Sequence, residues 1–525
     1  MGKRRRSDDS NDIRPTVKRC RTGSKRNLLD ISDEILLRVL SFLPIKDLLR
    51  IERVSQRFRT LAGDGGIWKA KYYDTWIDHR ARRLPPDKTQ EGSRQRVKIL
   101  RWLEHGQKLR DGATIDWKRQ FKIKSNWAAG AAKVHEVEVA NPPAPPVIAR
   151  VLKGVVFTFD RRSGLRAWVS SAGTRTLKAC LPFEASRVAT AMAVDSFDGV
   201  THVLLGFEDG SFSTYTFTNE SGFEHGTGHQ TTDGPLVAVA LAMPYAMTVS
   251  KTKFLSLYDL TENSEVDRSK ANLEPVARLQ SDASFSPVSL ALRRTPTRII
   301  ATVTYAFHRL NSGWCMGLQE IAMSTNGTVM DSRLTSTIET PFDAQYQGRD
   351  TWKMSTRSTS SVPFPLHPQL MSPPTSLSYE HPFLVCSLAD NTIMSFLVTS
   401  NESKLEISAG RRLWGHTSAV SGAEVNNRGK AVSISSRGDE IRVWELEPVM
   451  TSNAQSKTST RIKAVDSFSG VTAALTRRGT GLGLALHEMK RELGLTRSWV
   501  GFDDEQVVVL GERDQKQIMA LYDFT

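Results

Sequence analysis

Cysteine is scarce in this sequence of 525 residues, with only Cys20, Cys180, Cys315 and Cys386 present. No two of them lie close in sequence, which excludes a CxxC motif and the usual spacings of zinc ligands. A disulfide framework is not expected in so large a chain, so this cysteine usage is typical of the cytosol or the nucleus. No run of 18 apolar residues occurs either, and we therefore expect no membrane span.

The positive charge is confined to two segments. The chain carries a net charge of +15, but residues 1–26 contribute +7 and residues 80–124 contribute +9, so the rest is near neutral. This distribution disfavours a protein that binds nucleic acid over its whole surface, although two local basic segments remain. The first residues lead into polar sequence instead of an apolar stretch, so a secretory signal is not expected.

Residues 1–26 are poor in apolar side chains, and we predict a disordered basic tail. Two basic clusters in this tail are typical of nuclear import signals, and the alternative is a solvated tail without that role. The candidate import residues are Lys3, Arg4, Arg5, Arg6, Lys18, Arg19 and Arg21. The expected location is the nucleus, the cytoplasm or both.

Residues 27–79 have the pattern of a small helical domain. Apolar residues between 35 and 43 recur at the spacing of one helix face, Ser32 is a candidate N-cap, and Pro44 ends the helix. A second helix is predicted from about residue 46 to 53 and a third from Ser55 to Gly63. Three short helices make a poor core on their own. We expect the remaining apolar surface to pack on another protein, with packing on the same chain as the alternative.

The order and spacing of Ile31–Leu43, Lys46–Arg50, Arg53–Arg59 and Trp68 resemble an F-box over about 45 residues. The sequence departs from the family where Ile-Ser replaces the usual Leu-Pro and Phe58 replaces the usual Trp. The resemblance implies binding to a Skp-type adaptor. The candidate adaptor contacts, at apolar family positions, are Ile35, Leu36, Leu40, Leu43, Leu48, Val54 and Trp68. Some of them must instead hold the helices together.

Residues 80–130 are basic and helix-prone, and Trp117, Phe121 and Trp127 lie among the charges. This segment resembles the linker that joins F-box and propeller in F-box/WD-repeat proteins. Basic residues interleaved with aromatic ones also fit a nucleic-acid contact. We favour the linker, because aromatic residues at helical spacing more often serve in packing.

From residue 147 onward, short apolar strands alternate with polar turns. A strand, a short turn and a second strand recur seven times, and three of the six intervals are close to the WD-repeat period of about 40–45 residues. The hairpins are Val155–Val169, His202–Phe217, Met247–Leu260, Ile299–Met323, Phe383–Val398, Ala431–Leu446 and Gln506–Phe524. We therefore predict a mainly β protein whose residues 131–525 form a degenerate seven-bladed WD-repeat propeller, with a disordered insertion at about 345–375.

The sixth hairpin unit resembles a WD repeat most closely. In that family a His, a Ser or Thr, an Asp and a Trp form a buried hydrogen-bond chain, and the matching residues are His416, Ser433, Asp439 and Trp444. Asp439 stands one residue nearer the Trp than usual, so the chain is expected to be incomplete. His416 is interpreted as structural.

No motif of a known enzyme class appears, and we predict a non-catalytic protein without cofactor or metal. The family resemblance implies the substrate-recognition subunit of an SCF-type cullin–RING ubiquitin ligase, in which the propeller holds a substrate protein. Family receptors of phosphorylated substrates use cations near the turn between the second and third strands of a blade. The equivalent residues are Arg161, Lys251 and Arg437, and solvated turn cations are the alternative. A nuclear propeller scaffold that binds nucleic acid through its basic segments is the second hypothesis.

Overall fold

The computed structural model divides the chain into two compact units, Met1–Phe121 and Lys122–Thr525, which are described separately. The residues described are 31–77, 115–140, 147–171, 174–184, 187–260, 274–280, 288–295, 298–309, 313–324, 328–337, 372–401, 404–408, 410–436, 440–446, 459–464, 496–513 and 515–525. Within these ranges, no helix is both long and apolar enough to span a bilayer.

The first unit is built from short helices. Their bounds are α1 (Asp33–Phe42), α2 (Ile45–Ile51), α3 (Gln56–Ala62), α4 (Gly65–Tyr72) and a π-helix at Tyr73–Ile77. The first three match the sequence prediction, whereas α4 was not among the predicted helices.

Local capping explains how these helices begin. Ser55 accepts a hydrogen bond from the backbone N–H of Phe58 at the start of α3. At the start of α4, the Asp64 carboxylate accepts from the N–H groups of Gly66 and Ile67, so the glycine-rich stretch begins a helix. Ser32 occupies the predicted N-cap position of α1, but its side chain makes no capping hydrogen bond.

The described part of the basic linker is helix α5 (Trp117–Ala129), which crosses the boundary between the two units. In the first unit, Phe121 packs on Trp68 with their ring centroids 5.6 Å apart. In the second unit, Trp127 stacks on Phe524 at 3.9 Å and donates a hydrogen bond to the carbonyl oxygen of Asp504. The aromatic residues of this segment therefore serve in packing.

The second unit contains seven sheets among its described residues, and their strand pairs are antiparallel except for one parallel pair in the last sheet. Strand β1 spans Ala131–Ala140, and blade 1 follows with β2 (Ile148–Leu152), β3 (Val155–Asp160), β4 (Gly164–Ser171) and β5 (Thr174–Leu181). Blade 2 contains β6 (Ala189–Phe197), β7 (Val200–Phe207), β8 (Ser211–Thr218) and β9 (Gly222–Gln230). Blade 3 contains β10 (Leu236–Ala242), β11 (Tyr245–Ser250), β12 (Phe254–Asp259) and β13 (Ala277–Gln280). Blade 4 contains β14 (Val288–Arg294), β15 (Arg298–Arg309), β16 (Gly313–Ser324) and β17 (Val329–Ser336).

The remaining blades follow the same plan. Blade 5 contains β18 (Ser376–Glu380), β19 (Phe383–Ser387), β20 (Thr392–Ser400), β21 (Leu405–Ile407) and β22 (Arg411–Trp414). Blade 6 contains β23 (Val420–Val425), β24 (Lys430–Ser435), β25 (Ile441–Glu445) and β26 (Ser459–Arg461). Blade 7 contains β27 (Lys463–Ala464), β28 (Thr496–Phe502), β29 (Gln506–Arg513) and β30 (Lys516–Asp523), together with β1.

Blade 7 closes the ring, because β1 pairs antiparallel with β30 and thus joins the two ends of the propeller sequence in one sheet. The seven predicted hairpins are the second and third strands of the seven blades, from β3–β4 to β29–β30. The predicted fold class, a mainly β seven-bladed propeller after a small helical domain, is confirmed.

The strands follow the sequence pattern because their apolar residues pack between neighbouring blades. Strand β19 is buried along its whole length, and β3 and β29 are nearly so. The tight turn of blade 1 requires a glycine at Gly164, where φ is +72° and an added Cβ would lie 2.1 Å from the carbonyl oxygen of Leu181. Most of the predicted insertion at 345–375 and all of the predicted tail at 1–26 lie outside the described residues.

Candidate functional site

The helical unit has a core that includes four of the seven predicted adaptor contacts. Leu36, Leu40, Leu48 and Trp68 are at most 3% exposed. The indole N–H of Trp68 donates a hydrogen bond to the carbonyl oxygen of Ala62 at 2.7 Å. These four residues are therefore among those that hold the helices together, because their side chains pack in the core of the helical unit.

A different set of apolar side chains is exposed on this unit. Ile35, Val39 and Phe42 lie at i, i+4 and i+7 on one side of α1 and are 57%, 54% and 71% exposed. We call these three residues the apolar face of α1. Leu49 on α2 and Val54 after it are also exposed, at 41% and 70%. Large apolar side chains this open to water favour a surface that a partner covers.

The structure thus sorts the seven predicted residues into buried, half-buried and exposed ones. Ile35 and Val54 are exposed as predicted for adaptor contacts, and Leu43 is half-buried against the core. The sequence prediction missed Val39, Phe42 and Leu49. The available signal was that α1 carries apolar residues on two sides, since one amphipathic helix needs only one apolar side for its own core.

Ion pairs hold the helices beneath this surface. Arg57 on α3 donates to the Asp33 carboxylate at 2.6 and 2.9 Å and to the carbonyl oxygen of Ile31 at 2.6 Å. Lys118 on α5 donates to Glu52 at 2.5 Å. These contacts therefore connect the start of α1 to α3.

Blade 6 contains the hydrogen-bond chain expected from the WD-repeat pattern. The Trp444 indole N–H donates to the Ser433 hydroxyl at 2.7 Å, and this hydroxyl lies 2.6 Å from Nε2 of His416. Burial lowers the pKa of His416 to about 4, so its ring is neutral near pH 7. A neutral, buried and hydrogen-bonded imidazole has a structural role.

The carboxylate next to this hydrogen-bond chain belongs to Glu440. Its Oε2 atom accepts a hydrogen bond from the backbone N–H of Thr417 at 2.6 Å and lies 3.6 Å from Nδ1 of His416. Asp439, the residue predicted from the family pattern, lies outside the described residues. The sequence analysis missed Glu440 because it assigned the acidic position of the family pattern to Asp439, the neighbouring residue.

Blade 1 contains part of the same hydrogen-bond chain, although its sequence departs from the WD-repeat pattern. The Trp168 indole N–H donates to the Thr158 hydroxyl at 2.8 Å, as the corresponding pair does in blade 6. Between these two residues, buried Arg166 forms an ion pair with buried Asp160 and donates to the carbonyl oxygen of Val139 at 2.9 Å. These contacts stabilise blade 1 and bind its third strand to β1.

The predicted substrate-binding cations lie in turns at one end of the blades. Arg161 lies between β3 and β4 and Lys251 between β11 and β12, and both are exposed. Arg437, the third candidate, lies outside the described residues. Trp414, which the sequence analysis did not single out for binding, is 68% exposed and pairs with Thr392, the residue that follows the turn between β19 and β20.

The support of Trp414 is well ordered by polar contacts. The Arg412 guanidinium lies 5.7 Å from the centre of the Trp414 ring and 3.0 Å from the carboxylate of Asp390. Asp390 in turn accepts hydrogen bonds from the N–H and the hydroxyl of Thr392. An exposed tryptophan on a fixed support is typical of an interaction hot spot.

Two further predictions concern metal binding and nuclear import. In the part of the chain that the structure describes, no group of His, Cys, Asp and Glu side chains is arranged to hold a metal ion. The candidate nuclear-import residues at positions 3–6, 18, 19 and 21 lie outside the described residues.

Comparison with protein families gives two matches. The family described as F-box protein pof12 beta-propeller matches residues 132–525, and the family described as F-box-like matches residues 33–74. Comparison with curated proteins gives no match.

Several solved structures are similar to the propeller. The WD40 beta propeller domain of Doa1 is 12% identical, with 75% of this chain and 96% of that chain covered and a TM-score of 0.39. The beta-propeller domain of Myceliophteria thermophila Cps50 (Swd1) is 9% identical, with 74% and 100% covered and a TM-score of 0.41. The WD40 repeats of RRP9 are 10% identical, with 74% and 97% covered and a TM-score of 0.41.

Proposed function

Since the chain belongs to the family of F-box proteins with a pof12-type beta-propeller, we propose that it is the substrate-recognition subunit of an SCF-type cullin–RING ubiquitin ligase. The helical unit binds a Skp-type adaptor, and the propeller captures the protein to be ubiquitinated. The combination of an F-box with a propeller fits a substrate receptor. The observation that carries the proposal is the apolar face of α1, because adjacent apolar side chains exposed on one side of a helix mark an interaction surface.

Such a receptor contributes no reacting group. Catalysis results from proximity, because the receptor holds an acceptor lysine at high effective concentration next to a charged conjugating enzyme. We propose that the substrate contacts the end of the propeller where Arg161, Lys251 and Trp414 lie. Guanidinium and ammonium groups suit acidic or phosphorylated segments, and the indole supplies an apolar anchor.

Adaptor binding can be tested with two charged substitutions on the apolar face of α1. Ile35→Lys combined with Phe42→Lys leaves the core intact, because both side chains are more than half exposed. Burial of each native side chain in an interface contributes about 1.5–3 kcal/mol. Loss of both, before the cost of burying two charges, weakens binding by about 10²–10⁴-fold. Co-purification with a recombinant Skp-type adaptor should then be lost.

A matched control is Leu334→Lys, an equally exposed apolar residue on the propeller, which should co-purify like the unmodified chain. Leu48 is unsuitable for this test, because it is fully buried and a lysine there would unfold the helical unit. If the folded Ile35→Lys, Phe42→Lys variant retains full adaptor binding, the proposed function is wrong in its first step.

A further inference from the structure

Blade 4 of the propeller has a long outer strand whose large apolar side chains are open to water. This strand, β17, pairs with β16 on one side, and no described strand pairs with its other side. Val329, Met330 and Leu334 on β17 are 46%, 62% and 66% exposed. They are three of the seven large apolar side chains that are exposed in the described part of the propeller. An exposed apolar sheet edge is a template for pairing with another strand.

The outer strands of other blades lack this combination of length and exposed apolar residues. Strands β13, β21 and β26 have only four, three and three residues. Three glycines weaken β9, and β5 exposes a single large apolar side chain among its described residues, Leu177. Short or glycine-rich edges discourage strand pairing. The edge of β17 therefore calls for an explanation of its own.

The backbone groups on the outer side of β17 can be assigned to residues. The backbone N–H of Thr337 donates to the carbonyl oxygen of Met316 on β16 at 3.0 Å. Residues of an antiparallel strand direct their N–H and C=O groups alternately to the two sides. Ser332 and Leu334 therefore direct both groups away from β16. The register shifts at Met330, which is the extra residue of a β-bulge and has no partner on β16.

The five residues from Met330 to Leu334 are complementary to themselves when two copies meet antiparallel. If Ser332 of one copy lies opposite Ser332 of the other, Met330 lies opposite Leu334. In the same register Asp331 lies opposite Arg333, so each carboxylate meets a guanidinium and each apolar side chain meets an apolar one. Cross-strand pairs of both kinds stabilise antiparallel sheets. We infer that β17 is a dimerisation edge, at which a second copy of this chain adds its own β17 across a two-fold axis.

The charges on this edge favour a second copy over an unrelated strand. Arg333 forms ion pairs with Asp331 on its own strand and with Glu320 on β16, both at 3.3 Å, and its side chain stays 23% exposed. The side chain of Asp331 is 52% exposed, so this carboxylate is open to a guanidinium from outside. An unrelated strand would satisfy the backbone groups alone, whereas a second β17 also supplies the opposite charge at each charged position.

The first test measures the mass of the full chain by sedimentation between about 1 and 200 µM, because one strand pair makes a small and weak interface. The unmodified chain should pass from monomer to dimer over this range. Met330→Lys with Leu334→Lys places like charges opposite each other and should weaken dimerisation by about 100-fold. A matched control, Leu177→Lys with Val276→Lys, adds the same charge at exposed apolar residues of blades 1 and 3 and should dimerise like the unmodified chain.

The second test examines the register with a disulfide. Ser332→Cys places two thiols directly opposite each other, with their Cα atoms about 5.5 Å apart, which is within the reach of a disulfide. Oxidised glutathione should then produce covalent dimers. Ser336→Cys is the same substitution four residues along β17, where the two Cα atoms lie about 26 Å apart, and should not cross-link. The unmodified chain reports any cross-linking by its native cysteines.

The inference is overturned if the unmodified chain stays monomeric at every concentration, or if the two double-lysine variants behave alike. It is also overturned if Ser332→Cys cross-links no better than Ser336→Cys, because the two-fold register would then be wrong. Loss of the dimer in the Met330→Lys, Leu334→Lys variant alone, together with selective cross-linking of Ser332→Cys, supports it. Neither test involves an adaptor or a substrate, so these results are independent of the proposed function.

Discussion

Glu424 on β23 provides a quantitative test of the propeller structure. Its Oε2 atom is buried without a hydrogen-bond partner, and an ideal Cβ on Gly501 of blade 7 would lie 3.2 Å from it, beside the ring of Trp499. Burial raises the pKa of Glu424 from 4.5 to about 7, and the nearby Glu380 adds to the increase while Arg150 opposes it. The folded propeller therefore favours the protonated, neutral carboxyl group.

The sign of the effect follows from proton linkage. Between pH 4.5 and 7 the folded chain binds more protons at Glu424 than the unfolded chain does, so this group lowers stability as the pH rises through that window. The full shift corresponds to about 3.4 kcal/mol above pH 7. We expect about 2 kcal/mol, because Oε2 is buried but the residue as a whole is only half-buried. Replacement by glutamine removes the ionisation and keeps the size.

Glu424→Gln should therefore stabilise the protein at pH 8 and leave it nearly unchanged at pH 4.5. His416 acts in the opposite direction, since its lowered pKa makes the unmodified protein less stable as the pH falls from 6.5 toward 4. For this reason the measurement compares variant and unmodified chain at each pH, by urea unfolding monitored by circular dichroism. Glu220→Gln in the exposed turn after β8 is the control and should show no difference. Equal stabilisation at both pH values would refute the assignment of a buried, protonated Glu424.

Two further predictions concern buried hydrogen bonds and are read out by the same urea unfolding. Ser433→Ala should destabilise the propeller by about 2–4 kcal/mol, because it leaves both His416 Nε2 and Trp444 Nε1 without a partner; Ser433→Thr should restore most of the loss, and an unchanged unfolding midpoint for Ser433→Ala would contradict the role of this chain. Asp160→Asn should cost about 3–5 kcal/mol, since it leaves the buried Arg166 guanidinium uncompensated; a cost below about 1 kcal/mol would show that water already screens this pair.

The fold was predictable where one residue pattern had one structural solution. Each predicted hairpin, such as Val155–Val169, combined two apolar strands with a short turn, and both strands were buried between neighbouring blades. The hydrogen-bond chain of blade 6 was predictable from the family pattern for His416, Ser433 and Trp444, and the register of β24 and β25 fixes the separation of Ser433 and Trp444. The corresponding hydrogen bond in blade 1 was missed, because the sequence around Thr158 and Trp168 lacks the WD-repeat pattern.

The adaptor surface shows what sequence spacing alone did not resolve. Leu36 and Ile35 are adjacent apolar residues of one helix, yet the first is buried and the second is 57% exposed. Both fit an apolar helix position, and only the packing of α3 and α4 on α1 decides which of them is covered. The exposure of Trp414 likewise depends on the broken outer strand of blade 5, where β21 and β22 pair with different parts of β20.

By itself, the sequence determined the first three helices, the two inner strands of each blade, the number of blades and the order of the two domains. These features follow from periodicity and turn residues, which act between near neighbours in the chain. The tertiary structure decided which apolar side chains of the helical unit stay exposed, that Glu440 lies beside His416, and that Glu424 is buried next to blade 7. Those outcomes depend on contacts between residues far apart in sequence, so no local pattern encodes them.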